Sequence, residues 1–158
     1  MRANCFVDTN ILVYVRDSSE PEKQPAAEQW LTTLWAHELG RISAQVMNEY
    51  YVTVTRKLKP GLAKEQARAD LRALAVWQPL EISTTLIESS WDIQDQYGYS
   101  WWDTLVISSA LFLDCAYLLS EDMQHEQPIG NLTIINPFLV NCEALIQRGV
   151  VEAWTAES

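Results

Sequence analysis

Four acidic residues, Asp8, Glu49, Asp103 and Asp122, lie far apart in the chain but at positions where they could build one charge-rich centre. Asp8 closes the apolar run Asn4-Cys5-Phe6-Val7, and Asp122 follows Ala116-Tyr117-Leu118-Leu119 by way of Ser120-Glu121. Asp103 falls in the first turn of a predicted helix, and Glu49 in the first or second turn of another, within Asn48-Glu49-Tyr50-Tyr51. Carboxylates brought together repel one another and raise each other's pKa. A hard divalent cation such as Mg²⁺ or Mn²⁺ cancels that repulsion and prefers oxygen ligands. It also activates a water and stabilises charge on a phosphodiester oxygen. Each acid has a plainer reading too. Asp8 suits a strand-end turn or helix cap, Asp103 pairs with Ser100 as a capping box, Asp122 suits a turn, and Glu49 suits a solvated helix face. Singly they carry no function; the case depends on whether the chain brings them together.

The elements that would do so alternate. Strands are predicted at Asn4-Cys5-Phe6-Val7-Asp8, Arg41-Ile42-Ser43, Leu80-Glu81-Ile82, Ala116-Tyr117-Leu118-Leu119 and Leu132-Thr133-Ile134-Ile135. Thr9 or Asn10 caps a short helix through Tyr14-Val15, and the polar segment from Arg16 to Lys23 reads as a loop in which Arg16 pairs with Asp17. Further helices run from Pro21 or Pro25 to a stop at Gly40, from Gln45 to Leu58 before Pro60, from Ala63 to Leu74, and from Leu86 to Tyr97 before Gly98. Ser100-Trp101-Trp102-Asp103 opens another helix that reaches Leu113. A polar loop with Pro128 and Gly130 separates the last two strands, and a short helix from Cys142 to Gln147 precedes a tail. This order gives an α/β fold with a central, mainly parallel five-stranded sheet and helices on both faces. Ligands of such sheets bind beyond the carboxyl ends of the strands, where the strand order reverses. Asp8 and Asp122 fall at such ends.

The motifs Phe6-Val7-Asp8-Thr9-Asn10-Ile11-Leu12, Asn48-Glu49-Tyr50-Tyr51, Trp102-Asp103-Thr104-Leu105-Val106 and Leu119-Ser120-Glu121-Asp122-Met123, in this order, resemble the PIN-domain family. More narrowly they resemble its VapC-like ribonuclease toxins of type II toxin–antitoxin pairs. The resemblance extends from Val7 to about Asn136-Pro137-Phe138. It implies a three-layer α/β/α, Rossmann-like fold and Mg²⁺- or Mn²⁺-dependent cleavage of RNA. It further implies Asp8, Glu49, Asp103 and Asp122 as metal-binding and catalytic acids, with Asn10 and Ser120 as their polar supports. A small antitoxin and a second copy of the chain are the partners it implies. One position departs from the pattern: many relatives carry a further acid shortly beyond the last one, and His125 stands there. That leaves one metal or two as open alternatives, with His125 read as a loop residue.

With 158 residues, 48% hydrophobic, the chain is expected to form one domain, a nuclease unit over residues 1–138 extended by 139–158. Eleven Lys and Arg against 21 Asp and Glu give a net charge of −10, which excludes nucleic-acid binding by bulk positive charge. The cations are unevenly placed, however. Arg56, Lys57, Lys59, Lys64, Arg68 and Arg72 are crowded together, and Lys64, Arg68 and Arg72 share one helical stripe, whereas no Lys or Arg occurs from Ala73 to Gln147. Arg56, Lys57, Lys64, Arg68 and Arg72 are therefore candidate RNA contacts, against a solvated face with Glu65 and Asp70 as partners. Trp101-Trp102 is read as core packing at the start of its helix, with base stacking as the alternative. Cys5, Cys115 and Cys142 are dispersed among apolar residues as buried thiols. With no apolar run long enough for a membrane span and no signal-peptide pattern, a cytoplasmic location is expected. Two other functions fit the residues less well. A haloacid-dehalogenase-like phosphatase needs Asp-x-Asp where this chain has Asp8-Thr9-Asn10, and a non-catalytic PIN-like RNA-binding scaffold would not need all four acids.

Overall fold

The computed structural model describes residues 3–148. Its elements are β1 (Cys5–Val7), α1 (Thr9–Arg16), α2 (Lys23–Ala36), β2 (Gly40–Arg41), α3 (Ala44–Val52), α4 (Lys64–Leu74), α5 (Thr84–Tyr97), α6 (Trp101–Phe112), β3 (Tyr117–Leu119), β4 (Pro128–Ile129) and β5 (Leu132–Ile135). Residues 142–148 are also helical, and the rest of the expected tail lies outside the described residues. The sheet has the order β2-β1-β3-β5-β4; every neighbouring pair is parallel except β4 with β5. Cys5, Phe6 and Val7 are each 0% exposed. Successive strand residues point to opposite faces, so the sheet is covered on both sides. The chain leaves β1 towards β2 on one side, and β3 joins β1 on the other. The strand order therefore reverses between β1 and β3, and a crevice opens beyond their carboxyl ends.

α2 supplies much of the cover. Trp30 and Leu34 are buried, and the Trp30 indole N–H donates to the Pro137 carbonyl at 2.9 Å, satisfying its one polar group. Trp35, on the outer side of the same helix, packs on Trp77 with ring centroids 5.5 Å apart. Gly40 is not the helix stop. α2 ends at Ala36, Glu38 takes the left-handed conformation, and Gly40 sits in β2. A Cβ there would lie 2.3 Å from the Trp77 ring, so the close approach demands glycine.

Two predicted elements change. Leu80-Glu81-Ile82 forms no strand: Leu80 makes one parallel bridge to Ser43, bonded to Ile42 and Ala44, before Ser83 caps α5. The fifth place is taken by β4, within the segment expected as loop. Gly130-Asn131 is a two-residue hairpin turn with Gly130 at φ 59°, and Pro128, which lacks a donor, occupies the sheet edge. The helix expected from Gln45 to Leu58 also divides: after α3 the chain widens into a π-turn over Thr53–Lys57. The three cysteines are free and buried, and burial raises each thiol's pKa above its ordinary value. Among the described residues no helix is long and apolar enough to cross a membrane.

Candidate active site

β1 and β3 run in register with Val7 beside Leu119, so the residues that follow them, Asp8 and Ser120, meet at the mouth of the crevice. Asp8, rather than Thr9 or Asn10, is the cap of α1: its Oδ1 accepts the Thr9 backbone N–H at 2.8 Å. Its Oδ2 accepts the Ser120 hydroxyl at 2.7 Å, and the Ser120 oxygen in turn accepts the Asp122 backbone N–H at 3.2 Å. Asp122 Oδ2 accepts the Asn10 amide at 2.8 Å. Asn10 and Ser120 therefore make the kind of contacts expected of supports.

Glu49 comes from the second turn of α3, held by two residues that sequence reasoning passed over. Thr9 Oγ1 donates to Glu49 Oε2 at 2.8 Å, and Gln45 Nε2 donates to Oε1 at 2.9 Å and to the Trp102 carbonyl at 3.1 Å. Gln45 lies one helical turn before Glu49, a spacing that signals contact. Asp103 sits in the first turn of α6, where its own N–H donates to the Ser100 cap at 3.2 Å.

The electrostatics tie the four together. Burial pushes the Asp8 carboxyl up to about 7, assisted by the charges of Asp103 and Glu49 and opposed by the bonds from Ser120 and Thr9. Asp103 is also raised, by burial first and then by Asp122 and Glu49. Among the described residues, no Lys or Arg forms an ion pair with any of the four. Nor do any three His, Cys, Asp or Glu side chains there stand close enough to grip an ion as arranged. Asp8, Glu49 and Asp122 are turned towards Thr9, Asn10, Gln45 and Ser120. The donor set nonetheless suits a hard cation: it is all oxygen, its negative charge lacks a basic partner, and two acceptors in its supports, Asn10 Oδ1 and Gln45 Oε1, are buried without a hydrogen-bond donor.

Of the five candidate RNA contacts, Lys57 reaches this edge. It lines a cavity of about 710 Å³ with Gln45, Asn48, Glu49 and Trp102, and another of about 400 Å³ with Thr9, Asn10 and Asp122. Arg56, Lys64, Arg68 and Arg72 line neither cavity, and the Arg68 guanidinium lies 6.0 Å over the Tyr51 ring. Arg16 does not pair with Asp17. It grips Asp70 on α4 through Nε at 3.0 Å and Nη2 at 2.6 Å, and Tyr50 and Gln66 donate to the same carboxylate. Asp70 is thus engaged away from the α4 cations expected to share it. Trp102 is 63% exposed, which overturns the reading of it as core. His125 fastens its loop, its Nδ1 accepting the Asn136 N–H at 2.9 Å.

A mainly parallel sheet covered on both faces, with acids at its switch point, is a Rossmann-like α/β arrangement. Residues 5–128 match the PIN domain family, and the chain belongs to that family. Two solved structures share its fold. The sarcin–ricin loop-cleaving toxin VapC20 of Mycobacterium tuberculosis superposes with a TM-score of 0.57 at 16% identity, covering 75% of this chain and 90% of its own. VapBC2 of Rickettsia felis, bound to a DNA fragment from its promoter, gives 0.52 at 19% identity, covering 82% of this chain and 96% of its own. No curated protein matches the sequence.

Proposed function

We propose that the chain is a Mg²⁺- or Mn²⁺-dependent endoribonuclease and the toxin of a VapBC-type pair. Asp8, Glu49, Asp103 and Asp122 are its catalytic, metal-holding acids. The observation that supports this most is their gathering, from four separated segments, at the switch point with no ion-paired base among the described residues. The fold shared with VapC20 and VapBC2 supports the choice of RNA as substrate and of a small antitoxin as partner. A homodimer is part of the same reading, as is a nuclease unit over residues 1–138 with 139–158 as its extension.

Bound among these acids, the ion supplies a Lewis acid for a phosphodiester oxygen and lowers the pKa of a water. The chain's own groups do the positioning. Ser120 and the Thr9 N–H fix the orientation of Asp8, Thr9 and Gln45 fix Glu49, and Asn10 fixes Asp122. Lys57 offers a cation to a phosphate beside them.

The test is cleavage of single-stranded RNA with Mg²⁺ or Mn²⁺, compared with EDTA and with Asp8→Asn. Cleavage that needs both the ion and Asp8 is expected. Activity that survives both controls rejects the metal centre, and binding of RNA without cleavage points to a scaffold.

A further inference from the structure

Beside the acids lies the cavity of about 710 Å³, and the proposed chemistry leaves most of it unused. Its lining includes Ala44, Val52, Ile82, Leu105 and Trp102. Trp102 is 63% exposed and Val52 43%, and both line this cavity. Trp102 immediately precedes Asp103, so an object against the indole is one helical residue from a proposed metal ligand. The Trp102 backbone is tied to the site: its carbonyl accepts from Gln45, which also holds Glu49. Gln45, Asn48, Glu49, Thr53, Lys57 and Glu81 supply the polar groups of the same lining.

We infer that this cavity is a nucleobase subsite, in which Trp102 stacks against one unpaired base of the RNA while Lys57 takes a flanking phosphate. The inference rests on the ribonuclease reading and specifies its substrate as single-stranded at the nucleotide next to the cut. Three features favour a base over a protein segment. The cavity, at about 710 Å³, has room for a nucleotide. The cation at its mouth complements phosphate. It is continuous with the acids through Glu49 and Gln45, so its occupant must be covalently close to the reacting phosphodiester. Stacking on an aromatic face tolerates any base, and Asn48 and Glu81 at the rim add hydrogen bonds that discriminate among them.

The experiment uses the full chain carrying Asp8→Asn, so that bound RNA is not cut. Two labelled probes of equal length are titrated: a randomised single-stranded RNA and a ribose-phosphate oligomer lacking bases. Trp102→Ala is expected to weaken the RNA probe roughly 5- to 150-fold and leave the base-free probe unchanged. Trp102→Phe retains most of the affinity, and Trp91→Ala, an exposed tryptophan on α5, has no effect. In the cleaving protein, Trp102→Ala raises KM more than it lowers kcat. Equal affinities for Trp102→Ala and its parent overturn the inference, as does an equal loss on both probes or a parent that does not bind RNA. A change in sedimentation without a change in RNA binding assigns the face to a second copy or a protein partner instead. Cleavage by the unsubstituted chain is scored separately, so a failed subsite and a failed nuclease are distinguishable.

Discussion

Replacing Asp8 by Asn is expected to abolish RNA cleavage and yet stabilise the metal-free protein. Asp8 is 5% exposed, and burial together with Asp103 and Glu49 raises its carboxyl from 3.8 to about 7. That displacement corresponds to about 4 kcal/mol at about 1.4 kcal/mol per pH unit. The folded state holds the proton more tightly than the unfolded one. The stability that Asp8 contributes is therefore fully present below pH 4, falls as pH rises from about 4 to 7, and is flat above that. Asn removes the charge with little change of shape. Its oxygen still accepts the Thr9 N–H, and its amide faces the Ser120 hydroxyl, which can accept. Losing the stronger bonds that a carboxylate makes takes back part of the gain, leaving about 2–4 kcal/mol at pH 8. For a chain of this length that is a rise of roughly 5–15 °C in Tm. The assay is thermal unfolding in EDTA at pH 8 and pH 4.5, repeated with added Mg²⁺. The gain should shrink at the lower pH, and the ion should stabilise the parent more than the variant. Equal or lower stability of Asp8→Asn at pH 8, or a gain independent of pH, refutes the reasoning.

Four further outcomes are expected. Asp70→Ala should cost about 1–3 kcal/mol in urea unfolding, because it strips the acceptor from Arg16, Tyr50 and Gln66. Burial raises the Asp70 carboxyl, but the bonds from Arg16, Tyr50 and Gln66 outweigh it and hold the net value low. Its stabilisation is thus present above the unfolded pKa and lost as pH falls through the folded one, so the parent but not Asp70→Ala should lose this increment in acid. Gly40→Ala should cost about 1–3 kcal/mol by overpacking against Trp77, measured by the same unfolding. Lys57→Ala should weaken RNA binding more than Arg72→Ala and reduce the salt slope by about one, as read by titration at several ionic strengths. Gln45→Leu should slow cleavage about 10-fold or more, with circular dichroism unchanged, since Glu49 and Trp102 lose a shared anchor.

The acids were legible because each adjoins a strong local signal. Asp8 and Asp122 follow apolar runs that can only be buried strands, and Asp103 stands behind a serine cap. Glu49 was legible through its motif, but its partners were not. Gln45 reads as an ordinary polar residue until α3 turns it inward, and Thr9 reads as a cap until Asp8 takes that role. Lys57 was placed by the π-turn over Thr53–Lys57, a change of pitch that hydrophobic spacing does not encode. Arg16 chose Asp70, 54 residues away, over its neighbour Asp17, because a planar guanidinium finds two oxygens in line there. Leu80-Glu81-Ile82 has the composition of a strand, but no neighbour pairs with it beyond Leu80. β4 carried its turn signal in Gly130-Asn131, which the polarity of the segment masked.

The bond from Ser120 to Asp8 spans 112 residues, as does that from Asn10 to Asp122, and Trp30 reaches Pro137 across 107. The centre is thus closed by the two ends of the domain. During synthesis, Asp8 is joined to the chain roughly 6–22 s before Ser120, at ribosomal rates of about 5–20 residues per second. Throughout that interval β1 has no β3 beside it and the four acids cannot meet. A chain that ends before β3 has no route to a complete centre, whatever its other parts do. On the proposed reading, hydrolytic competence therefore arrives only with the last third of the polypeptide, as a property of strand order.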